Sequence, residues 1–179
     1  MDNISYSIHL ILFTLLNIYI MGCKVQKGSI CIDIHKLYGG VVPEIASRLH
    51  LENITLVIDE TLKKANMSVS DVDAIAVTYS PGLLGSLLVG LESAKALSLV
   101  YNKPLIKVNH MLGHIVANNI GHTLEYPLIS LIISGGHTDL ILMEDEKSFK
   151  YIGSTLDDAV GESFDKVARI LDMPYPGGP

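Results

Sequence analysis

The stretch Leu128 to Leu142, LISLIISGGHTDLIL, constrains this chain more than any other. Two short Ile- and Leu-rich runs, uncharged apart from Asp139, flank Ser134, Gly135, Gly136, His137 and Thr138. Runs of this length and composition predict two buried strands joined by a tight hairpin, which makes the loop the polar part. Paired glycines permit positive φ and put no side chain in the way, so successive N–H groups there are able to converge on an anion such as phosphate. The same residues also suit an ordinary Gly-Gly turn, and spacing alone does not separate the two.

At 179 residues and 49% hydrophobic content the chain has material for one or two small α/β domains. Its 13 Lys and Arg against 19 Asp and Glu give a net charge of −6, and no basic run exceeds Lys63-Lys64. That is no electrostatic footprint for nucleic acid, so positive charge for any contact with RNA must come from elsewhere. Cys23 and Cys31 are too few for a disulfide framework and lack metal-site spacing, which fits a reducing cytoplasm. Ile8 to Met21 is apolar but short of the roughly 20 residues a membrane-spanning helix needs. Asp2 is the only charge before it, so the basic start of a signal peptide is missing, and no membrane association is expected.

Pro43 suits the first turn of a helix in which Ile45, Leu49, Ile54, Ile58 and Leu62 recur at helical spacing, with Asn66 as terminator. His50 within it reads as structural or partner-facing. Val72 to Thr78 is apolar enough for a strand covered on both faces. The turn Ser80 to Ser86 then leads into a helix from about Leu87 to Tyr101, with Ser86 as a possible cap, and Pro104 to Val108 forms the next strand. Strand, helix and strand make a right-handed βαβ unit whose turn lies where ligands favour binding, though no Lys-Ser or Lys-Thr pair makes it a P-loop.

If residues 110–120 are helical, His110 and His114 lie one turn apart, close enough to share a metal ion, although seven histidines make a chance pair ordinary. Two imidazoles leave a metal under-coordinated, and Met111 stands where a zinc protease needs Glu. Phe149 to Ile152 suggests a third strand. A helix is expected from Ser154 to Asp158 onward, with Thr155 and Asp158 at capping-box spacing. Val160, Phe164, Val167 and Leu171 would be its buried stripe, and Asp158, Glu162, Asp165 and Arg169 its solvated face with an Asp165–Arg169 pair. Gly161 inside it costs about 1 kcal/mol against Ala, which points to close backbone approach by a neighbour or ligand.

The segments GGVVPEIASRLH (39–50), DVDAIAVTYSPGLLGSLLVGLESAKALS (71–98), VNHMLGH (108–114), LIISGGHTDL (131–140) and TLDDAVGESFDKVARILDMPYPGGP (155–179) resemble, in collinear order, the tRNA threonylcarbamoyltransferase family, formerly described as O-sialoglycoprotein endopeptidase. The resemblance implies an α/β fold of the actin, sugar-kinase and chaperone-ATPase (ribonuclease H-like) superfamily, with two lobes about a nucleotide cleft. It also implies transfer of a threonylcarbamoyl group from its adenylate to N6 of the adenosine beside the anticodon, in tRNAs reading codons that begin with A. By that resemblance His110 and His114 would hold one divalent metal ion, iron or else zinc, completed by a later aspartate. Ile132, Ile133, Ser134, Gly135 and Gly136 would line the adenylate site, Asp165 would bind sugar hydroxyls, and Gly178 would approach the ligand closely. Partners would be tRNA, a paralogous subunit and an ATPase of the modification complex, in the cytoplasm.

The match leaves residues 1–22 as an atypical apolar segment where the family has a phosphate-loop hairpin. Residues 23–122 would form a first lobe lacking its leading strands, and residues 123–179 the opening β-meander and helix of a second lobe that stops early. Such a chain is expected to be an incomplete copy of low stability. Two alternatives stand beside it: a non-catalytic interaction module, and a metallopeptidase, which Met111 argues against.

Overall fold

The structure is a computed structural model that describes residues 42–119, 122–174 and 176–178, together with the backbone of residues 10–14, 17–20 and 23–26. It divides into two compact units, Met1–His110 and Met111–Pro179.

In the first unit β1 (Leu10–Thr14), β2 (Asn17–Ile20) and β3 (Cys23–Gln26) precede α1 (Pro43–Ala65), β4 (Ala74–Ser80), α2 (Leu84–Tyr101) and β5 (Leu105–Asn109). They build a five-stranded sheet in the order β3-β2-β1-β4-β5. The first three strands form an antiparallel meander, while β1, β4 and β5 run parallel. β4 lies between β1 and β5, and its Ala74, Ile75, Ala76, Val77 and Thr78 are all buried. Its Ile75 and Val77 pack with Val57, Val69, Val72 and Ala94, and Ile54, Ile58, Leu62, Leu91 and Leu97 close over them, so α1 and α2 share that core. α1 has Pro43 at its start, and Asn66 ends it in the left-handed region at φ 52, its N–H turned back to Leu62 O and Lys63 O. His50 is buried and donates Nδ1–H to Ala46 O, in keeping with a structural role. α2 is long and apolar enough to cross a membrane by length and composition alone, yet its Leu91, Ala94 and Leu97 belong to this core.

Two expectations change here. The sheet does not lack its leading strands. A buried strand must pair its N–H and C=O groups on both edges. β5 serves one edge of β4, and Leu10–Phe13 pairs with Ala74–Val77 on the other. Leu10–Thr14 and Asn17–Ile20 of the apolar segment therefore belong with Cys23–Gln26 to one meander, on both sides of the expected division at residues 22/23. Ser86 is also not the cap of α2. Leu87 N–H already donates to Leu83 O, so Leu83 is the cap residue, without a side-chain bond, and Ser86 is buried in the first turn.

The second unit carries most of α3 (His110–Val116), then β6 (Leu128–Ile133), β7 (Thr138–Met143), β8 (Phe149–Ser154) and α4 (Val160–Ile170). β6, β7 and β8 form an antiparallel meander, as the hairpin reading predicts. Met111 and Ile115 are buried with Ile132, Ile141 and Met143, which is why the unit begins upstream of the expected boundary at 122/123.

α4 departs most from expectation. It starts at Val160, not near Thr155, whose hydroxyl donates to Asp158 O instead of capping a helix. Its proposed stripe is turned outward, with Phe164, Val167 and Leu171 at 51%, 53% and 63% exposure, while Ala168 is buried. The small-residue side faces inward because the backbone of a neighbouring loop comes right up to Gly161.

Amide hydrogen exchange should protect Leu10–Phe13 together with Ala74–Val77, since the two share one parallel ladder. Unprotected amides at Leu10–Phe13 beside a protected β4 would remove β1 from the sheet. In the same core Ile75→Ala should cost about 2–5 kcal/mol in a denaturant titration, because Ile75 is fully buried.

Candidate adenylate site

Two backbone segments of the second unit meet along one side of α4. At its first turn lies the β6–β7 loop, Ser134 to His137, closed by Ser134 N–H to His137 O at 2.8 Å. Gly161 N–H donates to Ser134 O at 3.2 Å. A Cβ on Gly161 would stand 2.6 Å from that oxygen and 2.8 Å from Gly135 N, closer than any side chain tolerates. One turn on, Asp165 shares this face. It lies about 6 Å along the axis from Gly161 at 1.5 Å per residue. Its Oδ1 accepts from Gly177 N–H at 2.7 Å. Gly177 in turn sits where a Cβ would be 2.5 Å from Phe164 O and 2.7 Å from Ala168 Cβ. Glycine is thus required at 161 and 177 for space.

The expected binding residues fall out unevenly. Gly135, Gly136 and Gly178 have nothing within 4 Å of the place a Cβ would occupy, so their surface is open to a ligand. Ile133 is 53% exposed, but Ile132 is buried in the core with Met111 and Ile141, so only its backbone is available. Asp165 makes no pair with Arg169. It holds the turn before Gly178, and the Asp165–Arg169 expectation gives way because a backbone N–H lies nearer the carboxylate.

Ser134 is the acceptor inside the loop. Its Oγ takes His137 N–H at 3.0 Å and Gly136 N–H at 3.4 Å, so two amides converge on one point as an anion cradle requires. Behind the loop, buried Asp139 accepts from Ser154 Oγ at 2.6 Å across β7 and β8, which fixes the hairpin. On the solvent side Lys166 Nζ reaches both Asp158 oxygens at 2.6 Å and Glu162 Oε1 at 3.3 Å. These carboxylates, Asp158 first, hold the ammonium above the usual lysine range. A raised lysine pKa favours the folded state at neutral pH, and that contribution disappears as pH rises through the folded value. In the β7–β8 turn the Lys147 amide, and after it the Ser148 hydroxyl and amide, hold the Asp145 carboxyl below its ordinary range.

His110 and His114 lie one turn apart on α3, as their spacing predicts. Among the described residues no three His, Cys, Asp or Glu side chains gather so as to hold a metal ion. Within the described residues these two histidines are a pair of imidazoles without a third ligand group. The sequence names Thr138 only as part of the loop and gives neither it nor Gly177 a role of its own. Thr138 opens β7 directly after His137, which separates it from the glycine pair, and its Oγ1 accepts Val160 N–H at 2.9 Å.

The family described as TsaD, tRNA N6-adenosine threonylcarbamoyltransferase, matches residues 26–179. The tRNA N6-adenosine threonylcarbamoyltransferase of Staphylococcus haemolyticus (strain JCSC1435) is 59% identical over 148 residues, which cover 83% of this chain and 43% of that protein. That of Bacillus subtilis (strain 168) is 58% identical with the same coverage. The chain thus spans less than half the length of these curated relatives. A solved structure described as an uncharacterized protein with similarity to peptidase YEAZ from Pseudomonas aeruginosa superposes with TM-score 0.50 at 16% identity, over 83% of this chain and 65% of that one. It supports the fold alone.

Gly161→Ala gives the sharpest test of this geometry. In an exposed helix that change stabilises by about 1 kcal/mol. Here the Cβ meets backbone, so the expected result is destabilisation of about 1–3 kcal/mol, read as a lower thermal midpoint. A raised midpoint would show that the loop does not lie against α4.

Proposed function

This chain belongs to the tRNA N6-adenosine threonylcarbamoyltransferase family, and from that premise we propose that it supplies the adenylate-binding part of such an enzyme. The observation that carries the reading is the gathering of an open Gly-Gly loop, a carboxylate and a glycine turn along one side of α4.

In the whole protein the reaction is an acyl transfer. The N6 nitrogen of the adenosine beside the anticodon attacks the carbamoyl carbon of threonylcarbamoyl-adenylate. The bond from that carbon to the phosphate oxygen breaks, AMP leaves with the electron pair, and the N6 proton passes to solvent. AMP is already a good leaving group, so the task for the protein is to hold the adenylate still, and no nucleophilic side chain is needed. The Ser134–Gly136 loop would meet the phosphate with backbone amides. Asp165 would take a ribose hydroxyl on Oδ2 while Oδ1 keeps the Gly177 turn in place, which brings Gly178 close to the ligand. His110 and His114 offer two imidazoles to a divalent ion, iron or zinc. Such an ion, when bound, would polarise the carbamoyl oxygen or orient the substrate, and the described residues give it no third ligand.

tRNA is the acceptor in this reading, and the reaction belongs in the cytoplasm. A net charge of −6 leaves attraction of tRNA to other parts of the whole protein or to its partners, a paralogous subunit and an ATPase.

Calorimetric titration with AMP tests the proposal. The wild-type chain should bind, and Asp165→Asn should bind about tenfold more weakly, since the amide oxygen still accepts Gly177 N–H but the charge is gone. Asp165→Ala should lose more, because it releases the turn as well. Equal affinity of wild type and Asp165→Asn would refute the ribose role. No AMP affinity in the wild type would favour a non-catalytic interaction module.

A further inference from the structure

α4 has no cap of its own. Its cap residue, Ala159, brings no side-chain acceptor, and the nearby Thr155 hydroxyl is committed to Asp158 O. The first free N–H of the helix, on Val160, is instead satisfied by Thr138 Oγ1 at 2.9 Å, a residue 22 positions earlier at the start of β7. The main-chain oxygen of Thr138 also accepts Thr155 N–H at 2.9 Å. Thr138 therefore grips both ends of the segment that connects β8 to α4. It is also in register opposite Ile133, where the loop leaves β6. The other link between loop and helix, Gly161 N–H to Ser134 O, is longer at 3.2 Å and has no side chain in it.

We propose that Thr138 is a positioning residue of the adenylate site: as a cap supplied from another element, it fixes the register of the Ser134–His137 loop against α4 and so sets where Asp165 stands relative to the loop. The inference rests on the adenylate reading above. The hydroxyl touches no ligand. It acts through Val160, whose N–H carries part of the positive end of the helix and would otherwise be left half-buried and unpaired. The β-branched carbon frame suits the strand, and the oxygen alone does the capping, so the two roles separate by substitution.

Thr138→Val keeps the shape and removes the acceptor, while Thr138→Ser keeps the acceptor. The test is AMP affinity by calorimetry, measured well below the thermal midpoint of every variant, with amide hydrogen exchange at Gly177 as the second readout. Thr138→Val should bind AMP about tenfold more weakly and exchange faster at Gly177, whose N–H reports the placement of Asp165. Thr138→Ser should restore both. A lower thermal midpoint for Thr138→Val with unchanged AMP affinity and unchanged Gly177 exchange would make Thr138 a structural cap only and overturn the proposal. If wild type binds no AMP, the adenylate reading fails by itself. Gly177 exchange then decides the positioning role: faster exchange in Thr138→Val but not Thr138→Ser sustains it, and equal exchange ends it.

Discussion

The second unit depends on one backbone-to-backbone contact. Gly161 lies so close to Ser134 and Gly135 that no side chain fits between them, and its N–H is bonded to Ser134 O. A contact made by main chain tolerates little rotation, because a turn of α4 about its axis would drive a side chain into the loop. It therefore selects which face of the helix points inward. Gly161, Asp165 and Ala168 take that face, and Phe164, Val167 and Ile170 are left outside although they are the more apolar residues. The apparent loss of buried area is offset by what the arrangement brings together, namely an open loop, a carboxylate and a turn that can seat only glycine.

The first unit follows a different constraint. β4 is buried from Ala74 to Thr78, so both of its edges must find hydrogen-bond partners inside the sheet. β5 and β1 meet that demand, and β2 and β3 extend the sheet beyond β1. The same demand explains why a run of apolar residues near the N-terminus belongs with the α/β core: β1 is paired on both edges, with β4 on one side and β2 on the other.

What could be read from the sequence was local. Pro43 and Asn66 bound α1 where expected, because proline at a helix start and asparagine in the left-handed region act through their own backbone angles. The glycine hairpin and its third strand were legible for the same reason. So was the need for a close neighbour at Gly161, although not which neighbour. The expected stripe of α4 failed because hydrophobic periodicity assumes that large side chains decide the buried face, and here a backbone contact decides it. The leading strands were missed because LILFT and NIYI show no period of two against polar residues, and the alternation in CKVQ lasts only four residues. Asp165 was legible by resemblance, but its bond to Gly177 joins residues 12 apart through a turn, and the Thr138 cap spans 22. Pairings of that kind leave no mark at fixed spacing.

The loop itself shows how these constraints bear on binding. Gly136 and His137 both aim their N–H groups at Ser134 Oγ, at 3.4 and 3.0 Å. A hydroxyl is a neutral acceptor, and a phosphate oxygen in its place would make charge-assisted bonds roughly twice as strong. Such an exchange would also give up the bond that Ser134 Oγ–H donates to His137 O at 3.3 Å, while Gly161 and Thr138 hold the backbone from behind. A cradle whose donors already converge has little to reorganise when an anion arrives, and that is the condition under which fixed dipoles are most effective. Ser134 thus keeps both amides satisfied within the loop, and its hydroxyl donates in turn to His137 O.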